Sequence, residues 1–248
     1  CKSLTHITMP ANGPRLGKGA FRSLPAITVS YKGATYGGNG NPSVVLAAVI
    51  NTGCEIIDFG GYDWLVLEKK DGKALILSLC VLEHMAYNDE RTDVTWETCT
   101  LRTYLNFNFY NSFSADDKAR VVETKISNKD NQWYGTSGGN DTDDHIFLLS
   151  LEEVVKYFGD SGQLSDRPSK STRYIGDTSD TSYISDQYND ARIAYSAEVS
   201  SYSWWLRSPS GRSNLAAYVD YHGFVVFVDD YSSVSSNNGV RPAMWITV

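Results

Sequence analysis

The chain has 248 residues, of which 42% are hydrophobic and 12% aromatic, so it can form one sizeable core and is not a disordered chain. Its formal net charge is -7 and it has no basic run, which excludes nucleic acid as an expected partner, because phosphates are neutralised by clustered Lys and Arg. The longest apolar run, residues 44–50, is much shorter than the roughly 18 residues of a membrane span, so no transmembrane segment is expected.

Residues 1–49 are rich in Gly, Pro, Ser and Thr and are predicted to form an N-terminal arm or accessory segment. Cys1 followed by Lys2-Ser3 is the pattern of a lipoprotein acylated at its N-terminal cysteine, and a tag remnant is the alternative. The four cysteines, at positions 1, 54, 80 and 99, show no C-x-x-C spacing and no following His pair, so a zinc site is not expected.

A single domain is predicted over residues 50–248, opening with strands at 55–59, 62–67 and 74–79. Asp71-Gly72 supplies the positive φ angles of a tight hairpin between the last two strands. Two or three helices follow. The first is capped by Thr95 or Thr98 and the second by Ser114, and the third carries a Ser150–Glu153 capping box and ends at Gly159.

A strand is predicted at 146–149, a long loop over 159–203, a hairpin over 215–228 that turns at His222-Gly223, and a closing strand at 244–248. The order of strands, helices, long loops and strands favours an α+β fold over alternating β-α units.

The segment from Ser213 to Val240 has an unusual composition. It contains no Lys, Glu, Gln, Trp or Met, although these five types make up 32 of the 248 residues and about three or four would be expected in it. None of the five can be encoded by an N-N-C codon, whereas every residue from Asp220 to Val240 can. Adenine mutagenesis of AAC codons generates this set of residues. Chance composition of an ordinary aromatic hairpin is the alternative.

Two motifs flank this segment: Trp204-Trp205-Leu206-Arg207-Ser208-Pro209 before it and Gly239-Val240-Arg241-Pro242-Ala243 after it. Together with the composition, they resemble the variable proteins of diversity-generating retroelements, in particular an uncharacterised bacterial domain family. The resemblance implies a C-type-lectin-like or formylglycine-generating-enzyme-like fold with a variable region at about 210–240. It also implies ligand binding on a phage virion or a bacterial surface, to a protein or glycan of a cell surface.

Tyr with Ser, Asn and Asp is the composition of an adaptable binding surface, in which aromatic rings supply contact area and small polar groups supply hydrogen bonds. The residues expected to bind ligand are Tyr218, Asp220, Tyr221, His222, Phe224, Phe227, Asp229, Asp230, Tyr231, Ser232, Ser233, Ser235, Ser236, Asn237 and Asn238. Nine of them are expected to cluster on one exposed face: Tyr221, His222, Phe224, Phe227, Asp229, Asp230, Tyr231, Ser233 and Ser235. Val225, Val228 and Val234 are the expected inward positions between them.

Trp204, Trp205, Arg207 and Arg241 are predicted to be buried framework, with each guanidinium paired with a carboxylate or carbonyls; a sugar-stacking or anion site is the alternative. A fixed carbohydrate-binding module and a hydrolase or oxidase are the competing functions. Against an enzyme, the G-x-S-x-G pattern around Ser137 lacks the strand and helix of a nucleophile elbow, and no cysteine follows Cys99.

Calcium is an option at Asp141, Asp143 and Asp144, with a solvated loop as the alternative.

Overall fold

The computed structural model describes residues 6–8, 28–31, 34–36, 52–166, 183–196, 201–227 and 233–248. The chain combines helices with many strands, and its sheets are largely antiparallel. Near the N-terminus, β1 (His6–Thr8) pairs in parallel with β2 (Thr28–Tyr31), which pairs antiparallel with β3 (Ala34–Tyr36).

A five-stranded sheet has the order β4, β5, β6, β18, β8. Its strands are β4 (Glu55–Phe59), β5 (Tyr62–Lys70), β6 (Lys73–Ser78), β8 (Val121–Val122) and β18 (Ala243–Thr247). The predicted hairpin between β5 and β6 is confirmed, because Asp71 and Gly72 take φ angles of 51° and 69°, as a tight primed turn requires.

A six-stranded sheet has the order β11, β16, β15, β14, β17, β7. Its strands are β7 (Glu83–Ala86), β11 (Tyr183–Ile184), β14 (Trp204–Pro209), β15 (Ala216–Val219), β16 (Val225–Val226) and β17 (Asn237–Val240). The pairing of β14 with β17 is parallel, and the other four are antiparallel. Two-stranded ladders join β9 (Thr124–Ile126) to β10 (Thr142–Asp144) and β12 (Ala194–Tyr195) to β13 (Ser201–Tyr202).

The helical part begins with a 3-10 turn (Trp96–Thr98) and continues as α1 (Thr100–Thr103), a π-helical stretch (Tyr104–Phe109) and α2 (Tyr110–Ser112). Three further short helices are α3 (Ala115–Arg120), α5 (Gln163–Asp166) and α6 (Asn189–Arg192). The predicted capping box is present at α4 (Leu151–Phe158): the hydroxyl of Ser150 accepts from the Glu153 N–H, while the Glu153 carboxylate accepts from the Ser150 N–H. No helix in the described ranges is long and apolar enough to cross a bilayer.

Two predicted elements differ from the structure. Residues 146–149 are buried but form only an isolated bridge, Phe147 with Ala243, rather than a strand. The long loop predicted over 159–203 contributes short ordered elements, including an edge strand of the six-stranded sheet, β11. Tertiary pairing supplies this order, since the Ser, Thr and Asp of the local sequence carry no strand periodicity.

Candidate functional site

The six-stranded sheet has one face in the core and one that is partly accessible. Residues directly opposite each other on neighbouring strands point to the same face. The buried row is Trp204, Val219, Val225 and Ile184, each at most 1% exposed. The row on the opposite face is Trp205, Tyr218, Val226 and Tyr183, in which both tyrosines are half-buried.

Aromatic rings continue from this second row to the tip of the β15–β16 hairpin. Tyr183 stacks on Phe224 with ring centroids 5.1 Å apart, and His222 lies 5.6 Å from Phe224 and 4.1 Å from Tyr221. Tyr218 packs edge-on against the buried Trp205 at 6.2 Å. We call Tyr183, Tyr218, Tyr221, His222 and Phe224 the aromatic surface. Aromatic side chains that are exposed or half-buried and grouped in this way are typical of binding surfaces.

The turn that presents Tyr221 and His222 is fixed by its own hydrogen bonds. The carboxylate of Asp220 accepts from the backbone N–H groups of His222 and Phe224, both at 2.8 Å. Gly223 has φ +83°, and a Cβ atom there would overlap the carbonyl of Asn189. Asp220, predicted to bind ligand, therefore also holds the turn, and a side chain at position 223 would strain it.

The single exposed face predicted for the variable segment is only partly present. Tyr221, His222, Ser236 and Asn237 are exposed, whereas Tyr218, Asp220, Phe224, Ser235 and Asn238 are half-buried. Two expectations are wrong. Phe227 is 0% exposed, stacked at 4.2 Å on Trp133, and Ser233 is 7% exposed, in a bridge with Leu215.

Val225 and Val234 are buried, as predicted. Asp229, Asp230, Tyr231, Ser232 and Val228 lie outside the described residues.

The contrast between Phe227 and Tyr221 gives a direct test of these positions. We expect Phe227→Leu to lower the free energy of unfolding by about 1–2 kcal/mol, because it removes a ring packed in the core. Tyr221→Leu should change it by no more than about 0.5 kcal/mol, since Tyr221 is 52% exposed. Urea unfolding of both variants measures the difference, and equal losses would contradict the assignment of Phe227 to the core.

The tryptophans of the first flanking motif are buried, as predicted. Trp204 is 0% exposed, and its indole N–H donates to the carbonyl of Arg192 at 3.1 Å. Trp205 is 1% exposed and donates to the carbonyl of Met85 at 3.0 Å. Each ring thus joins the strand before the variable segment to a different part of the chain. Neither ring is accessible for stacking on a sugar.

The two framework arginines are both buried, but only one pairs with a carboxylate. Arg207 forms a two-pronged ion pair with Glu153 and donates to the carbonyl of Leu148 at 2.7 Å. Through Glu153, the capping box of α4 is linked to β14.

Arg241 has no carboxylate partner within the described ranges, and its partners are the other expected kind, backbone carbonyls. Its guanidinium donates to the carbonyl of Ser78 at 2.8 Å and lies 5.0 Å from the Trp204 ring and 5.7 Å from the Phe158 ring. Burial lowers the pKa of Arg241 to about 10, which still leaves it charged at neutral pH. Carbonyl dipoles and ring faces therefore surround the Arg241 charge in place of a carboxylate.

Tyr183 and its support were missed by the sequence reasoning. Shortly after β11, Asp186 forms a buried ion pair with Arg192, whose Nη1 lies 2.9 Å from Oδ1, and both side chains are at most 1% exposed. Arg192 also donates to the carbonyl of Gly159 at 2.9 Å, which ties this segment to the end of α4. The only available signal was a lone Tyr-Ile pair in a polar stretch, too short to indicate a strand.

Two of the three carboxylates proposed for calcium, those of Asp141 and Asp144, have other partners. Asp144 is 0% exposed and accepts from the indole of Trp96, the guanidinium of Arg102 and the hydroxyl of Thr142. A paired guanidinium 2.6 Å away opposes cation binding there. Asp141 accepts from a backbone N–H, and across the described residues no three acidic, His or Cys side chains are grouped for a metal.

The sulfur and hydroxyl nucleophiles considered from the sequence lie in unreactive settings. Burial raises the pKa of Cys99 to about 12 and that of Cys80 to about 11, so both thiols stay protonated at neutral pH. The loop around Ser137 is flanked by neither a strand nor a helix, and the Ser137 hydroxyl accepts from the Gly139 N–H at 3.2 Å.

Comparison with known proteins gives one match. No curated protein and no solved structure matches the chain significantly. A family model does match, over residues 71–248, which include β14 to β18 and both flanking motifs. The chain therefore belongs to the family described as domain of unknown function DUF6273.

Proposed function

We propose that this protein binds ligands through the aromatic surface and that retroelement-directed adenine mutagenesis diversifies the part of this surface that lies in the C-terminal segment. The fold we propose is C-type-lectin-like. The observation that carries the proposal is a separation of roles along the C-terminal sequence. The N-N-C segment supplies exposed rings at Tyr221 and His222, whereas the motif before it supplies the fully buried Trp204 and Trp205.

This separation is what a diversified binding protein needs. Substitution of exposed residues usually changes stability by less than about 0.5 kcal/mol, whereas substitutions in a core often cost several kcal/mol. A domain of ordinary stability tolerates many changes of the first kind and few of the second. Phe227 and Ser233 do not vary freely under this proposal, even though N-N-C codons can encode them.

The proposed ligand is a protein or glycan on a cell surface, and the proposed location of this protein is a phage virion or a bacterial surface. We propose no catalytic activity. The aromatic surface consists of rings with a hydrogen-bonded turn, which favours contact area over nucleophilic chemistry. The buried tryptophans disfavour a carbohydrate-binding module that uses Trp204 and Trp205 for stacking.

A display library tests the proposal. Positions Tyr221, His222, Ser236 and Asn237 are randomised together with N-N-C codons, and the folded fraction is measured before selection on an arbitrary protein such as lysozyme. We expect most members to fold with nearly unchanged melting temperatures, and some to bind. The matched control randomises four buried positions, Val219, Val225, Phe227 and Val234, and should mostly unfold. A first library that unfolds as often as the control would contradict the proposal.

A further inference from the structure

A groove of about 410 Å³ lies on the five-stranded sheet, between β9 and helix α4. Its floor follows from the strand register: Glu68, Leu75 and Trp245 are directly opposite one another on β5, β6 and β18, so their side chains share one face. Phe147 also lines it. None of the five residues of the aromatic surface lines this groove.

The charge of the groove is opposite to that of the whole chain. Its lining includes five cationic and three anionic side chains: Lys70, Lys125, Lys129, Lys156, Arg207, Glu68, Glu152 and Glu153. The chain overall has 22 Lys and Arg against 29 Asp and Glu. A concave surface with an excess of one sign concentrates ligands of the other sign.

Two of the three carboxylates are already neutralised within the groove. Lys156 lies 2.7 Å from Glu68, and Arg207 is paired with Glu153. Hydrogen bonds from Lys156 and from the Tyr157 hydroxyl hold the pKa of Glu68 below its ordinary value, so this pair stays ionised at neutral pH.

The remaining charges of the groove are Lys70, Lys125, Lys129 and Glu152. The three lysines are exposed and form no ion pair within the described ranges, which leaves an excess of positive charge for a ligand.

Trp245 gives the groove an accessible indole. The other five tryptophans are at most 2% exposed, whereas Trp245 is half-buried. The hydroxyls of Thr124, Ser127 and Tyr157 also line the groove. An aromatic face beside hydroxyls and unpaired ammonium groups is suited to a ring that carries C–H groups, hydroxyls and a negative charge.

We propose that this groove binds an acidic saccharide, with a uronic acid ring stacked on Trp245 and its carboxylate held by Lys125 and Lys129. The lysines select for the charge, and the indole and hydroxyls select for the sugar. This site is separate from the aromatic surface and would not vary under adenine mutagenesis of the C-terminal segment.

The test uses the tryptophans as its reporter. Because Trp245 alone is half-buried, acrylamide quenching of intrinsic fluorescence reports mainly on the groove. We expect hexagalacturonate to protect the protein from quenching in a saturable way. Lys125→Gln combined with Lys129→Gln should weaken its Kd about tenfold, because each substitution removes one charge-assisted contact. Lys118→Gln is the matched control, since Lys118 is a half-buried lysine on α3 that does not line the groove, and it should leave the Kd unchanged.

Two further probes separate the parts of the proposal. Cellohexaose offers the sugar ring without the charge, and sodium sulfate offers the charge without the ring. At a concentration equal to that at which hexagalacturonate saturates the protein, neither probe should protect Trp245 from quenching. Equal protection by either probe would overturn the proposal. So would the absence of hexagalacturonate binding at about 1 mM, or an equal loss of affinity in the Lys118→Gln control.

Discussion

Replacing Trp204 by alanine is expected to lower the free energy of unfolding by about 3–5 kcal/mol. The side chain is fully buried, its N–H satisfies the carbonyl of Arg192, and its ring lies 5.0 Å from the guanidinium of Arg241. The substitution therefore leaves a cavity and removes a ring from a buried cation that has no carboxylate partner in the described residues. Guanidinium-induced unfolding measures the change.

Trp204→Phe is the graded control, because it keeps most of the volume and loses the indole N–H. It should cost less, about 1–3 kcal/mol. An unchanged stability of Trp204→Ala, with ligand binding lost, would contradict the framework role and make Trp204 a binding residue.

Replacing Asp186 by asparagine is expected to cost about 3–5 kcal/mol at neutral pH, because it leaves the guanidinium of Arg192 buried without its counter-charge. Burial disfavours the ionised form of Asp186, but hydrogen bonds from Arg192, Ser161 and the Tyr188 N–H outweigh it and hold the pKa below its ordinary value of 3.8. The contribution of the Asp186 carboxylate to stability is therefore complete above the unfolded pKa. It is lost as the pH falls through the lower folded pKa.

Urea unfolding of the wild type and Asp186→Asn at a series of pH values measures this contribution. The difference between the two proteins should be largest near pH 7 and should narrow in acid below pH 3.8. A difference that stays constant down to the acid limit would show that Asp186 stabilises the β11 segment by packing alone. Glu55→Gln is the control, because the Glu55–Lys69 pair is more than half exposed and should contribute little.

The elements predicted well are those with local signals. The Asp71-Gly72 turn, the Ser150–Glu153 capping box and the terminal hairpin are each specified within a few residues by φ preference, side-chain capping or alternation. The buried tryptophans were also predictable, because two adjacent large rings in an apolar strand need a core on both faces.

The rest depends on contacts distant in sequence. Phe227 belongs to the N-N-C segment by composition, yet it is buried because Trp133 lies against it. Tyr183 becomes part of the candidate site only because β11 pairs with β16. Arg241 was expected to have a carboxylate or carbonyls as partners, and the choice of carbonyls depends on Ser78 and Leu79, which are distant in sequence. Codon composition indicates which residue types a segment contains. Strand pairing and tertiary packing decide which of those residues are exposed to solvent.

The central claim is that exposed C-terminal positions are diversified while the buried framework is constant, and sequencing the DNA beside the gene tests it most directly. We expect a reverse transcriptase gene and a near-copy of the 3′ end that differs from the gene only where the copy has adenine. These differences should fall in the codons of Tyr221, His222 and other exposed residues, and spare those of Trp204, Trp205, Arg207 and Arg241. A gene with no such copy beside it, or a copy that differs from the gene at positions unrelated to adenine, would contradict the claim. The segment would then be an ordinary aromatic hairpin whose composition arose by chance.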